Sequence, residues 1–249
     1  MPTKIFLHGG GNRDESREAT FGRFAAACIR QPADKLALVM AEGEETAVPK
    51  YIAAYSELFT AVGVPQEQII PLVVTAKKPL TYEMVAQVAP SGLFLCGGVT
   101  PLYHQAVAAN PGWLTYLQET HIPFGGTSAG AAIAAETAVL GGWKATRQAQ
   151  SREILFVGAG EGLEQLTVRP GLGLMPFAVD VHASQMGTLT RLIHAVELGL
   201  VPEGWAIDEN TMLVWNGRTS QIFGEGHCYH VQRSREGGVT VTIHVADLG

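Results

Sequence analysis

Through the first two thirds of the chain, short apolar runs alternate with longer stretches in which apolar residues recur every three or four positions. This is the pattern of βαβ units that build a largely parallel sheet. It predicts strands at 4–7, 36–40, 68–73, 92–96 and 123–125, with helices at 17–30, 49–62, 81–88, 102–110 and 130–138. Several of these strands run into glycine-rich turns, notably Gly9-Gly10-Gly11 and Gly97-Gly98. Ligands of open parallel sheets bind beyond the carboxyl ends of the strands, so those turns mark the expected site.

After about residue 200 the period shortens to two, at 212–215, 221–223, 229–232 and 239–245, with turns at Asn216-Gly217 and Glu236-Gly237-Gly238. These segments read as an antiparallel extension of the same sheet. No internal repeat and no linker long enough to separate two units interrupts the chain. One α/β domain over 1–249 is the expected organisation.

Composition narrows the class. Apolar residues make up 47% of the 249 and charged residues only 16%, which suits a globular protein with a sizeable core. The net charge of -6 is spread along the chain and no run of Lys or Arg tracks a phosphate backbone, so nucleic acid is not an expected partner. No apolar run approaches the roughly 18–20 residues of a membrane helix, and the N-terminus lacks the apolar core of a signal peptide. Three well-separated cysteines, Cys28, Cys96 and Cys228, fit a reducing, cytoplasmic setting.

The chemistry-bearing motif is Gly126-Thr127-Ser128-Ala129-Gly130, between the 123–125 strand and an alanine-rich helical stretch. Gly-x-Ser-x-Gly suits a nucleophile because the serine must occupy a strained strand-to-helix turn, where side chains two residues away would strike neighbouring backbone. The following helix is expected to point its amides and positive dipole end at the serine, favouring developing negative charge. A small-residue turn packed tightly between strand and helix is the alternative reading of the same five residues.

With its surroundings, Gly125-Gly126-Thr127-Ser128-Ala129-Gly130-Ala131 resembles the nucleophile motif of the cyanophycinase and aspartyl dipeptidase (dipeptidase E) family of serine peptidases. Asp180-Val181-His182-Ala183-Ser184-Gln185-Met186-Gly187, through Arg191-Leu192, resembles the cyanophycinase histidine segment, and Ala206-Ile207-Asp208-Glu209-Asn210-Thr211 its acidic segment. Phe94-Leu95-Cys96-Gly97-Gly98 is similar to the Gly-Gly turn beside the family's nucleophile. With His8-Gly9-Gly10-Gly11, the similarity runs in order from residue 5 to about 215.

The resemblance implies a three-layer α/β/α sandwich with a mostly parallel central sheet, related to class I glutamine amidotransferases, and cleavage of short peptides, often beside an aspartyl residue. It further implies Ser128 as nucleophile, His182 as base and Glu209 as the acid orienting it, by acyl-enzyme chemistry without metal or cofactor. Asp208 and Asp180 remain alternatives for the acid; strand alternation points 208 and 209 in opposite directions. The dipeptidase branch draws its aspartate from soon after the nucleophile, where this chain offers only Glu136 before Trp143, which favours the cyanophycinase-like arrangement. The amides of Gly98 and Ala129 are the expected oxyanion hole. The resemblance also makes a homodimer plausible.

Departures separate chemistry from substrate. Val181 stands where the family's segment has glutamine, Met186 and Thr188 where it has arginines, and Val99-Thr100 where the Gly-Gly turn continues with Asn-Gln. Cyanophycin is therefore not the expected substrate. Arg191 is a candidate for a substrate carboxylate or for a structural acid, Asp180 for a substrate amine or a local cap, and Gln185 and Thr100 for the substrate pocket. Cys96 ends an apolar strand and reads as an inert thiol. In His227-Cys228-Tyr229-His230, alternation splits the metal-capable side chains between two faces, so no metal site is expected. His8-Gly9-Gly10-Gly11-Asn12 lacks phosphate-loop spacing and reads as a turn bordering the cleft. An esterase or amidase of the same fold, and a binding protein without activity, are the competing functional classes.

Overall fold

The chain's computed structural model describes residues 4–41 and 48–248. The apolar runs form β1 (Ile5–His8), β2 (Leu36–Ala41), β3 (Ile69–Val74), β4 (Gly92–Leu95) and β5 (Phe124–Thr127), all mutually parallel. β12 (Thr211–Trp215) pairs antiparallel with β1, and β13 (Ser220–Gly224) with β12, giving the order β13-β12-β1-β5-β4-β2-β3. All residues of β1, β2, β4 and β5 are buried, as expected of parallel strands covered on both faces.

Helices supply the crossovers that parallel strands require. α1 (Asp14–Arg17) and α2 (Arg23–Cys28) are joined by a wider π turn, Glu18–Gly22, and lead to β2. α3 (Val48–Ala61) leads to β3 and α4 (Tyr82–Val88) to β4. α5 (Thr100–Tyr103), a second π turn His104–Ala108, and α6 (Leu114–Thr120) lead to β5. The first two crossovers run outward along the sheet and the last two return. Right-handed crossovers therefore place α1 to α3 on one face and α4 to α6 on the other. Accordingly α3 packs on the Glu18–Gly22 turn and α4 on α6. The result is the expected layered α/β architecture.

Two expectations are corrected. The alanine-rich helix predicted at 130–138 is a single turn, α7 (Ala129–Ala132), followed by β6 (Thr137–Gly141). The carbonyls of Ile133, Ala134, Ala135 and Glu136, which a longer helix would use internally, instead accept the amides of Leu172, Leu174, Gly173 and Gly171. The tertiary partner overrides alanine's helix propensity. β6 then pairs with β9 (Thr167–Pro170) beside a surface ribbon of β7 (Lys144–Arg147) and β8 (Gln150–Glu153).

The late strands also divide between two sheets instead of extending one. β14 (His227–Arg233) and β15 (Val239–Val245) join β10 (Ala178–Val181) and β11 (Glu203–Ile207) in a second sheet, ordered β10-β11-β14-β15. α8 (Leu189–Glu197) is the crossover between parallel β10 and β11. Alternation specifies a half-buried strand, not the edge it joins. Here Glu225 N–H donates to Asn210 O and Gly226 N–H to Thr211 Oγ1, turning the chain away from β13 towards Asp208 and the open edge of β11. Val179 and Ile207 still pack into the main core with Phe6, Phe94 and Leu95. Among the described residues, no helix is long and apolar enough to cross a membrane.

Candidate active site

Ser128 follows β5 directly and carries φ 49° and ψ -116°, a strained conformation for a residue with a Cβ. Its neighbours make that geometry attainable. A Cβ on Gly126 would lie 2.5 Å from the Gly130 carbonyl oxygen, and one on Gly130 would lie 2.4 Å from that of Leu95. Ser128 N–H donates to His8 O, while Ser128 O accepts the amides of Ala131 and Ala132, so the backbone is fixed on both sides of the turn.

Parallel pairing brings the next two residues together. β10 and β11 are in register at Val181 and Ile207, so the residues just beyond them, His182 and Asp208-Glu209, emerge side by side. His182 Nε2 lies 2.9 Å from Ser128 Oγ, and its Nδ1 lies 2.8 Å from Glu209 Oε1. The hydroxyl, imidazole and carboxylate form one continuous hydrogen-bonded chain. Asp208 points elsewhere: Oδ1 accepts Ser184 N–H at 2.9 Å and Oδ2 accepts His227 N–H at 3.0 Å. It holds the loop after His182 to the start of β14.

The N-terminal glycines hold these loops in place. Gly9 O accepts His182 N–H and Gly10 O accepts Asn210 N–H, while Gly9 N–H donates to Thr211 O. Gly10 has φ +105°, and a Cβ there would lie 2.1 Å from the His182 ring. That close approach explains the glycine run at the cleft border.

The Gly-Gly turn is pinned by two tyrosines that sequence reasoning passed over. Gly97 N–H donates to Tyr55 Oη at 2.6 Å, and Tyr103 Oη donates to Gly97 O at 3.1 Å. The amides of Gly98 and Ala129 donate to no acceptor among the described residues. Leu58 of α3 belongs to the main core and Tyr55 packs against it, so in the sequence this face reads as ordinary core. Because α7 is only one turn, individual amides rather than an extended helix dipole supply positive character beside Ser128.

The proposed substrate contacts are repositioned. Arg191 donates through Nε and Nη2 to both carboxylate oxygens of Asp180, at 2.8 and 2.6 Å, and through Nη1 to Ala159 O at 2.7 Å. Both side chains are buried, at 5% and 1% exposure, so this is a closed structural pair and not a substrate contact. Asp180 is equally removed from orienting His182. Thr100 is buried at the start of α5, its N–H donating to Glu161 Oε2 at 3.0 Å. Gln185 is exposed, and its Oε1 accepts Glu209 N–H at 2.9 Å. Thr188, where the family has arginine, donates to Val181 O at 2.5 Å.

Three further groups set the local electrostatics. Glu161 is another residue missed by sequence; burial chiefly raises its pKa, opposed by its bond from Thr100 and by the positive fields of Arg191 and His182. Burial likewise pushes the Cys96 thiol well up, leaving it a poor nucleophile. His8 is fully buried, and its pKa is lowered to about 3 by burial and then by His182. His8 Nδ1 lies 3.1 Å from Thr127 Oγ1 and 3.3 Å from Gly10 N, and its Nε2 has no partner among the described residues. His227 and His230 face Asp208 and Glu203, and no group of metal-capable side chains converges among the described residues.

Ser128 and His182 open onto a cavity of about 330 Å³. A broader depression of about 1110 Å³, lined by Lys4, Arg23, Asp34 and Pro123 among others, lies at the amino ends of β1 and β5, away from these groups. The smaller cavity is at the carboxyl ends, where parallel sheets bind ligands.

Protein-family models and curated proteins yield no match to this chain. Among solved structures, the fold is similar to that of a crystal structure of a peptidase from an acI-B1 Actinobacterium. The TM-score is 0.66 at 16% sequence identity, covering 99% of this chain and 95% of the other.

Proposed function

We propose that the protein is a serine-type peptidase acting on short peptides, with Ser128, His182 and Glu209 as its catalytic residues. The observation that carries this reading is the continuous Ser128–His182–Glu209 hydrogen-bonded chain, ending at a strained serine that faces a cavity. Likeness in fold to a peptidase adds support.

In this mechanism Ser128 Oγ attacks the scissile carbonyl carbon as His182 Nε2 takes its proton. Glu209 accepts the hydrogen bond from Nδ1–H and stabilises the imidazolium that forms. The Gly98 and Ala129 amides donate to the oxyanion of the tetrahedral intermediate. Collapse breaks the C–N bond, and His182 returns the proton to the leaving amine. Water then attacks the acyl ester with His182 again as base, releasing the acid and restoring the serine.

Ser128→Ala is expected to lower peptide turnover by about 10⁴- to 10⁶-fold while the circular dichroism spectrum stays unchanged. Undiminished hydrolysis by the folded variant would overturn the assignment.

A further inference from the structure

We infer that the cavity against Ser128 is a side-chain pocket for a large apolar residue, best an aromatic one, flanking the scissile bond; the inference rests on the hydrolase reading above. One wall is a face of α3, with Tyr51, Ala54, Tyr55 and Leu58 at i, i+3, i+4 and i+7. Phe21 faces it from the π turn Glu18–Gly22, and its ring packs 4.4 Å from that of His8. Such walls offer broad apolar and π surface to a bound ring.

The pocket's electrostatics point the same way. Among the described residues, its lining contains no Lys, Arg, Asp or Glu. Arg191 is committed to Asp180, and Arg17, which donates to Asn12 at the rim, pairs with Asp14. Among the described residues, a substrate carboxylate or guanidinium entering here would meet no opposite charge as it sheds its water, which is strongly unfavourable. A hydrocarbon ring sheds its water at a gain. The site thus discriminates against the aspartyl side chain that the sequence resemblance implies.

The test is kcat/KM for Phe-Ala, Asp-Ala and Arg-Ala, and for Ala-Phe, Ala-Asp and Ala-Arg. At one of the two positions Phe is expected to exceed both Asp and Arg by at least about tenfold. Ala54→Arg, a change at an exposed position on the α3 wall, is expected to lower turnover of that Phe peptide and raise that of its Asp counterpart. Hydrolysis in which Asp or Arg equals or exceeds Phe at both positions overturns the pocket assignment and leaves the hydrolase reading standing. Absence of all hydrolysis, with Ser128 unlabelled by a fluorophosphonate, overturns the hydrolase reading instead. The pocket is then read by titrating phenylalaninamide and aspartamide into Ser128→Ala and following the tyrosine ring resonances. Tighter binding of phenylalaninamide supports the assignment, and equal or no binding of the two overturns it.

Discussion

Two polar clusters draw on the segment around His182, and they end differently. Asp180 and Arg191 close on each other: both carboxylate oxygens accept from the guanidinium, the remaining terminal nitrogen donates to Ala159 O, and water is excluded. Glu209, His182 and Ser128 form a line whose last member, the serine hydroxyl, opens on a cavity. Similar residue types thus give a structural tie where the guanidinium's donors are consumed and, on the proposed reading, a reactive chain whose open end would meet a substrate. Asp208, adjacent to Glu209, belongs with the first kind, since it accepts from Ser184 and His227.

The largest contrast is expected from Glu209→Gln, which places an amide where the imidazole N–H needs a carboxylate. Turnover should fall by about 10³- to 10⁴-fold with little change in stability, as steady-state kinetics and urea unfolding will show. A loss below tenfold would mean that Glu209 does not orient His182, and the open chain would lose its third member.

Arg191→Met should do the reverse. It leaves Asp180 buried and unpaired, and unfolding free energy should drop by roughly 3–5 kcal/mol in urea titrations. If stability holds while KM alone rises, Arg191 binds substrate and the contrast collapses.

The smallest expected effect concerns His8, beneath the open chain. Its pKa in the folded protein is about 3, against 6.5 for an exposed histidine. Between those values the unfolded chain binds a proton that the folded protein refuses, so acid favours unfolding. This contribution is fully present above pH 6.5 and is lost as pH falls towards 3. From pH 6.5 to 5 it amounts to about 2 kcal/mol. The slope of stability against pH over that range should flatten in His8→Phe. An unchanged slope would place the responsible titration elsewhere.

What was legible in the sequence follows the range of the forces involved. The elbow is a local steric requirement, so Gly126 and Gly130 announce it within five residues. The parallel strands are continuous apolar runs and could be read to within a residue or two. His182 and Glu209 were reached through resemblance, because only the pairing of β10 with β11 makes residues 27 apart neighbours. The Asp180–Arg191 lock was one of two open readings, since an arginine's partner depends on the turn of α8. The helix predicted after Ser128 failed because the carbonyls of 133–136 find partners near residue 172, a contact that alanine propensity cannot register. Tyr55 and Tyr103 were missed because a hydroxyl that pins one glycine leaves no periodic signal.

The central claim, that the hydrogen-bonded chain ends in an activated serine, is tested most directly by fluorophosphonate labelling followed by peptide mass mapping. The account predicts a single adduct on Ser128, formed far more slowly in Glu209→Gln and absent from Ser128→Ala. A folded wild-type protein that remains unlabelled, or carries its adduct on another residue, would contradict it.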